Sequence, residues 1–218
     1  MLKKTMCLLA LGLCMLTGCS GINEKGMDSK EKEKTLVITP EYDYAYDLSD
    51  NKALCKNHEY IALIEIAGVD GTSNYNDKLK EYVNIYTYGK AIVKSVYKGD
   101  LEKGEEISFT RLGGQLKYAD WKKGLNERQL ARLKNEDYSI VINKYDNDID
   151  VELGKTYLVF LDHTSAQKEN EYAITGFAYG MREVEEANMI YEESELRVKN
   201  NISGEYEPLS SVVDQDSE

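Results

Sequence analysis

Proline is almost missing from this 218-residue chain, which has two, and there are only one tryptophan, three phenylalanines and two histidines. Scarce proline excludes polyproline and collagen-like architectures. Two imidazoles exclude a histidine-built zinc site unless carboxylates or a thiol join it. Positive charge is short as well: 27 Lys and Arg against 39 Asp and Glu leave a formal net charge of −12. Phosphate backbones are held by clustered basic side chains, and pairs such as Lys122 and Lys123 do not make a patch, so nucleic acid is excluded as a partner. Gly113-Gly114 lacks the Lys-Ser/Thr that follows a phosphate-cradling loop and opens no helix, which leaves a bend or bulge as its reading. No cofactor is expected.

What is present begins at the start of the chain. Lys3 and Lys4 lead into an apolar run over 6–16, the form of a secretory signal and too short to span a bilayer. The sequence Leu16-Thr17-Gly18-Cys19 resembles the lipobox of bacterial lipoproteins. That resemblance implies removal of 1–18 as a lipoprotein signal peptide, a diacylglycerol on Cys19, and residence at the extracytoplasmic face of the bacterial cell membrane through the lipid. Cys7 and Cys14 would leave with the signal, and Cys55 would be the one remaining thiol, too few for a disulfide framework. Loss of Lys3 and Lys4 takes the net charge to about −14. Heavy use of Lys, Glu, Asn, Tyr and Ile fits an AT-rich genome such as those of many Gram-positive bacteria.

Residues 20–34, SGINEKGMDSKEKEK, hold too little apolar surface to order themselves. They read as a flexible tether over 19–40 with a typical reach of roughly 20 Å. One domain over 41–205 follows, then an acidic C-terminal tail over 206–218, in which Pro208-Leu209 with Val212 and Val213 can form a last helical turn. In EYDYAYD, extended backbone puts Tyr42, Tyr44 and Tyr46 on one face. They read either as an aromatic row that stacks on sugars or peptides, or as rings covering the edge of the core. Ser49 or Asp50 caps a helix through about 57, with Leu54 and Cys55 on its apolar side. Strands are expected over 60–69, closed by an Asp70-Gly71 turn, over 82–97 with a bend at Gly89, and over 106–112. A helix is expected over 125–135, capped by Asn126 with Leu125, Leu130 and Leu133 as its stripe, inside a helical insertion near 119–137. Short apolar runs at 138–142, 157–161 and 172–178 complete a mainly β chain with short peripheral helices, a compact barrel or sandwich.

Four segments carry a family resemblance across 48–184: ALCKNHEYIALIEIAGV, KAIVKSVYKGDLEKGEEISF, RLGGQL, and GKTYLVFL followed by YAITGFAYG. Their order is similar to that in Gram-positive surface lipoproteins with an OB-like β-barrel, the topology shared with netrin-like domains and tissue inhibitors of metalloproteinases. The resemblance implies a fold and no reaction. Those inhibitors chelate zinc with a free N-terminal cysteine pinned by disulfides, whereas Cys19 here would be lipidated and has no partner cysteines. The stretch 114–138 with the lone Trp121 looks like an elaboration on a bare barrel, which makes Trp121 a candidate for ligand binding.

The remaining chemistry is sparse. Asp146, Asp148 and Asp150 have the spacing of the first three ligands of an EF-hand loop. Val151 stands where that loop needs glycine and Tyr157 where it needs glutamate, so the triplet is a weak Ca²⁺ candidate beside the reading as an acidic solvated turn. Cys55 and His58 have the spacing of a thiol nucleophile and its base, without an oxyanion site or an orienting third group. Asp162-His163-Thr164 reads as a turn. No catalytic residue is expected. The chain reads as a binding or accessory module for a surface protein, peptide or glycan; the alternatives are a structural envelope protein without a discrete ligand and, last, a hydrolytic enzyme.

Overall fold

The computed structural model describes residues 34–133, 137–163, 166–168, 170–185 and 195–213. The signal over 1–18, Cys19, most of the expected tether and the end of the acidic tail lie outside the described residues. The chain is mainly β with few, short helices. Its elements run β1 (Thr35–Ile38), α1 (Asn51–Asn57), β2 (Tyr60–Asn76), β3 (Glu81–Lys98), β4 (Glu106–Leu112), β5 (Gly114–Lys117), α2 (Tyr118–Trp121), α3 (Glu127–Arg132), β6 (Ile140–Asn143), β7 (Thr156–Asp162), β8 (Glu171–Ile174), α4 (Phe177–Gly180), β9 (Met181–Glu183), β10 (Arg197–Lys199), β11 (Tyr206–Pro208) and α5 (Leu209–Val212).

Five strands form a ring in the order β2-β3-β4-β8-β7, closed by pairing of β7 with β2. Every pair in it is antiparallel except β4 with β8. The side-chain period of two explains what fills it. Ala62, Ile64, Ile66, Ala91, Val93, Ile107, Phe109, Tyr157 and Val159 point inward and are fully buried. Ile61, Leu63, Leu158 and Phe160 point outward and are covered by Leu54 and Cys55 of α1 and by Leu209, Val212 and Val213. β7 is therefore buried on both faces and reads as a continuous apolar run, TYLVFLD, as such strands must. Each large aliphatic or aromatic side chain buried here contributes about 1.5–3 kcal/mol.

At Gly89 the backbones of β2 and β3 approach closely: a Cβ there would stand 2.1 Å from the Gly68 carbonyl oxygen. The expected turn at Asp70-Gly71 is not a turn. β2 runs on to Asn76 with register shifts beside Gly68 and Gly71, and the chain reverses over 77–80. Glycine inside a strand marks a bulge as often as an end, and the Tyr75 and Tyr82 rings, 5.1 Å apart, hold the extended arm together beyond it.

A second sheet, β1-β6-β5, packs Leu36, Ile38, Leu116 and Trp121 on Ile85, Tyr118 and Val141. The tether expected over 19–40 is thus too long by several residues, because Thr35–Ile38 pairs parallel to β6 and buries alternate side chains. In the helical insertion Asn126 caps α3 in a reciprocal arrangement with Gln129, but the helix is shorter than 125–135. Leu130, expected on a buried stripe, is 40% exposed, and only Leu133 packs inward. The other end needs correction too. Residues 206–213, assigned to an acidic tail, form β11 and α5; the last helical turn is there as expected, and it is buried. Arg182, 2% exposed, fastens this segment by pairing with Glu207 and donating from Nη2 to Asn51 Oδ1 at 2.9 Å. Among the described residues no helix is long and apolar enough to cross a membrane.

Candidate functional site

The arm over 41–47 links β1 to α1 and lies across one end of the ring. Its tyrosines converge with two rings from distant parts of the chain. Phe177 lies tilted against Tyr145 at 3.9 Å between centroids and against Tyr42 at 5.3 Å, and meets Tyr44 edge to face at 5.7 Å. Tyr44 and Tyr46 meet edge to face at 6.4 Å. Phe177 holds this position at a φ of +46°, a left-handed conformation that costs a non-glycine residue about 1–3 kcal/mol and tends to sit where function needs it. The turn that holds it, from Thr175 to Gly180, closes tightly: a Cβ on Gly180 would fall 1.6 Å from the Thr175 carbonyl oxygen.

Behind the rings is a polar knot. His58, 4% exposed, places Nδ1 2.8 Å from Asp162 Oδ2 and Nε2 2.8 Å from the Tyr46 hydroxyl. Thr175 donates its hydroxyl to the same Asp162 oxygen at 2.9 Å, and the backbone N–H of Glu59 donates to Oδ1 at 3.1 Å. An ionised carboxylate only accepts, so a neutral His58 carries its proton on Nδ1 and accepts from Tyr46 at Nε2. Burial pushes the Asp162 carboxyl up, but His58, the Glu59 amide and Thr175 outweigh it and hold it below the usual value. The knot ties together the tyrosine arm, the end of β7 and the Thr175-Gly176-Phe177 turn.

That turn and arm form one wall of an open cavity of about 310 Å³ at the ends of β3, β4 and β8, lined by outward side chains and, at its deep edge, by the inward-facing Arg111 and Ile174. Val83, Tyr86, Leu112 and Ala173 line its floor, and Tyr44 and Phe177 its rim. Register accounts for this: Tyr86 lies opposite Leu112 on the outward side of the ladder, with Thr110 beside Ala173. Arg111 is 7% exposed and also lines it. Its Nη2 pairs with Asp148, its Nη1 donates to the Ile149 carbonyl at 2.7 Å, and the buried Nε finds no partner among the described residues. Burial pushes the Asp148 carboxyl up, against the pull of Arg111. Burial and the neighbouring Tyr46 and Tyr42 also push the Tyr44 hydroxyl up, so it stays protonated and able to donate.

The candidate residues are distributed unevenly. Of the tyrosine row only Tyr44 lines the cavity; Tyr42 packs on Tyr145 and Phe177, and Tyr46 bonds His58 and covers the edge of the core. Trp121 is elsewhere: it stacks on Tyr118 at 5.8 Å and is not among the residues lining the cavity. Asp148 is buried against Arg111, while Asp146 and Asp150 are exposed, and among the described residues no three metal-ligating side chains gather. The Asp148 carboxylate is engaged by the guanidinium rather than free for a cation. Cys55 donates its thiol to the Val212 carbonyl at 3.2 Å, and His58 faces Tyr46 and Asp162 instead of the thiol. Cys19 lies outside the described residues. Three participants, Arg111, Tyr145 and Phe177, escape the sequence reading. Arg111 had a signal, a charge continuing the inward alternation Ile107, Phe109, Arg111, which calls for a buried partner. Phe177 had a fainter one, a lone ring between small residues in TGFAYG.

No protein-family model matches the chain, and no curated protein is similar to it in sequence.

Proposed function

We propose that the ring is an OB-like β-barrel and that the chain is a lipoprotein anchored through Cys19 to the extracytoplasmic face of a bacterial membrane. There it acts as a binding module for a surface protein, peptide or glycan. The barrel reading is supported by the strand order and by the parallel pairing of the third ring strand, β4, with the fifth, β8. The observation that carries the binding role is the open, aromatic-rimmed cavity. It sits over β3 and β4, the second and third ring strands, beside Asn76 at the end of β2, where the β2–β3 connection starts, and Gln167 of the β7–β8 connection. Barrels of this topology receive their ligands on that face and between those connections. The −12 net charge argues against an oligonucleotide there.

Cross-linking mass spectrometry on intact cells displaying the native protein tests the role, with Tyr44→Ala and Trp121→Ala alongside. A partner captured by the native chain, lost with Tyr44→Ala and kept with Trp121→Ala, supports a binding module working through the cavity. Loss with Trp121→Ala alone would move the site to the insertion. Scattered cross-links, identical in all three, would replace the reading with a structural envelope protein. Cys19→Ser tests the anchor, and it should move the chain out of the membrane fraction.

A further inference from the structure

Polar groups around the cavity are nearly all engaged within the protein, which narrows what can enter. Asn76 donates to the Ala166 carbonyl at 3.1 Å and accepts from the amides of Lys78 and Leu79. Gln167 donates to Thr110 at 3.1 Å, Thr175 to Asp162, and Tyr86 to the Tyr75 carbonyl at 2.8 Å. Arg111 is neutralised by Asp148. Arg111 Nε is itself buried, so the half-exposed Tyr44 hydroxyl remains as the donor at the rim, with no acceptor among the described residues. A sugar ring presents hydroxyls on every edge, and burying them against engaged partners costs about 1–3 kcal/mol for each group left unpaired. An apolar side chain incurs no such cost, and its flanking backbone carbonyl gives the Tyr44 hydroxyl an acceptor.

The rim adds a sign. Glu41 and Asp43 are exposed on the arm beside Tyr42 and Tyr44, whereas the small pocket adjoining the cavity at Asn76 and Tyr86 is lined by acids and bases in equal number, Asp77 and Glu171 with Lys78 and Lys168. The arm therefore sets a negative rim around an uncharged, apolar interior.

Building on the proposed binding role, we infer that the cavity takes an aromatic or branched aliphatic side chain of an extended peptide, flanked by basic residues, in preference to a glycan. The side chain rests between Phe177, Tyr44 and Leu112, and the flanking Lys or Arg face Glu41 and Asp43. Exchange of the buried ring for a methyl group should cost at least about tenfold in affinity.

The test uses the full chain in detergent micelles with ¹³C-labelled Phe and Tyr rings, Phe177 and Tyr44 being assigned by substitution. It is titrated in turn with acetyl-Gly-Lys-Phe-Lys-Gly-amide, its Ala-for-Phe and Glu-for-Lys counterparts, chitotriose and maltotriose. Expected is a shift of the Phe177 and Tyr44 signals by the first peptide, at least about tenfold weaker binding of the Ala form, weaker binding of the Glu form, and loss of the shift in Tyr44→Ala. Near-UV circular dichroism checks that this variant stays folded. Equal binding of the three peptides overturns the inference. So does a trisaccharide that moves both rings while the peptides do not, and that result leaves the binding role standing. If no probe moves either ring the inference also fails, and cellular cross-linking decides the binding role independently.

Discussion

Two outer faces of the same ring differ in what covers them. The face of β2 and β7 carries Ile61, Leu63, Leu158 and Phe160 beneath α1 and α5, so it is finished by the chain itself. The face of β3, β4 and β8 carries Tyr86, Thr110, Leu112 and Ala173, and a cavity is left above it. Both obey the period-two rule, and what separates them is the outward residue type. Large aliphatic and Phe side chains demand a cover, while Tyr, Thr and Ala tolerate water and can wait for one, which leaves Leu112 as the one large aliphatic of these four on the open face. Where a ring is closed inside, its open outer face is the place to look for a ligand.

The sharpest way to break the contrast is to empty the covered face. Phe160→Ala removes a fully buried ring from beneath α1 and should destabilise the protein by about 3–5 kcal/mol, read as a lower urea midpoint. A change below about 1 kcal/mol would mean that α1 and α5 are loosely laid on rather than packed. Second in size is Arg182→Met. The side chain is buried and holds Glu207, Asn51 and the Tyr179 carbonyl. Because the Glu207 side chain is 29% exposed, water recovers part of the loss, and about 2–3 kcal/mol is expected. Protease cleavage after Lys199 should rise in this variant if Arg182 is what fastens β11 and α5.

These two residues show why the covered face was easier to read than the open one. The run Tyr157 to Leu161 announces a doubly buried strand, and Leu54-Cys55 announces the helix that lies on it. Arg182 announces nothing, because a single arginine in a polar stretch has no period, and its partners are 25 and 131 residues distant. The open face has the same difficulty throughout. The tyrosine arm was legible as a row, but only Tyr44 of it lines the cavity, while Tyr46 covers the edge of the core. Phe177 and Tyr145 join it only through ring closure and a left-handed turn, neither of which leaves a local pattern. Trp121 drew attention through rarity, which carries no information about position. It is half-buried in the second sheet's cluster.

Next in size is the knot that joins the two faces. The Asp162 carboxyl is held below the usual value, so the folded state favours its ionised form. Its contribution is complete above the unfolded carboxylate pKa of about 3.9 and disappears as pH falls through the lower folded value. Asp162→Asn should cost about 1–2 kcal/mol at pH 7, and the gap between variant and native chain should close on acidification below about pH 4. Urea midpoints at pH 7, 4 and 3 measure that gap. If it stays constant with pH, the carboxylate charge is not what holds Thr175 and His58 in place.

The smallest stability effect belongs to the open face, and that smallness is the point. Tyr44 is 39% exposed, touches Phe177 and Tyr46 edge to face, and its hydroxyl bridges to nothing that a truncation would strand. Tyr44→Ala should therefore cost less than about 1 kcal/mol of folding stability, while Phe160→Ala, of similar volume change across the ring wall, costs several times more. A residue that contributes a cavity rim yet little stability is free to be selected for what it contacts from outside. Should Tyr44→Ala prove as damaging as Phe160→Ala, the aromatic arm would be a cover like α1, the cavity a packing remnant, and the two faces the same.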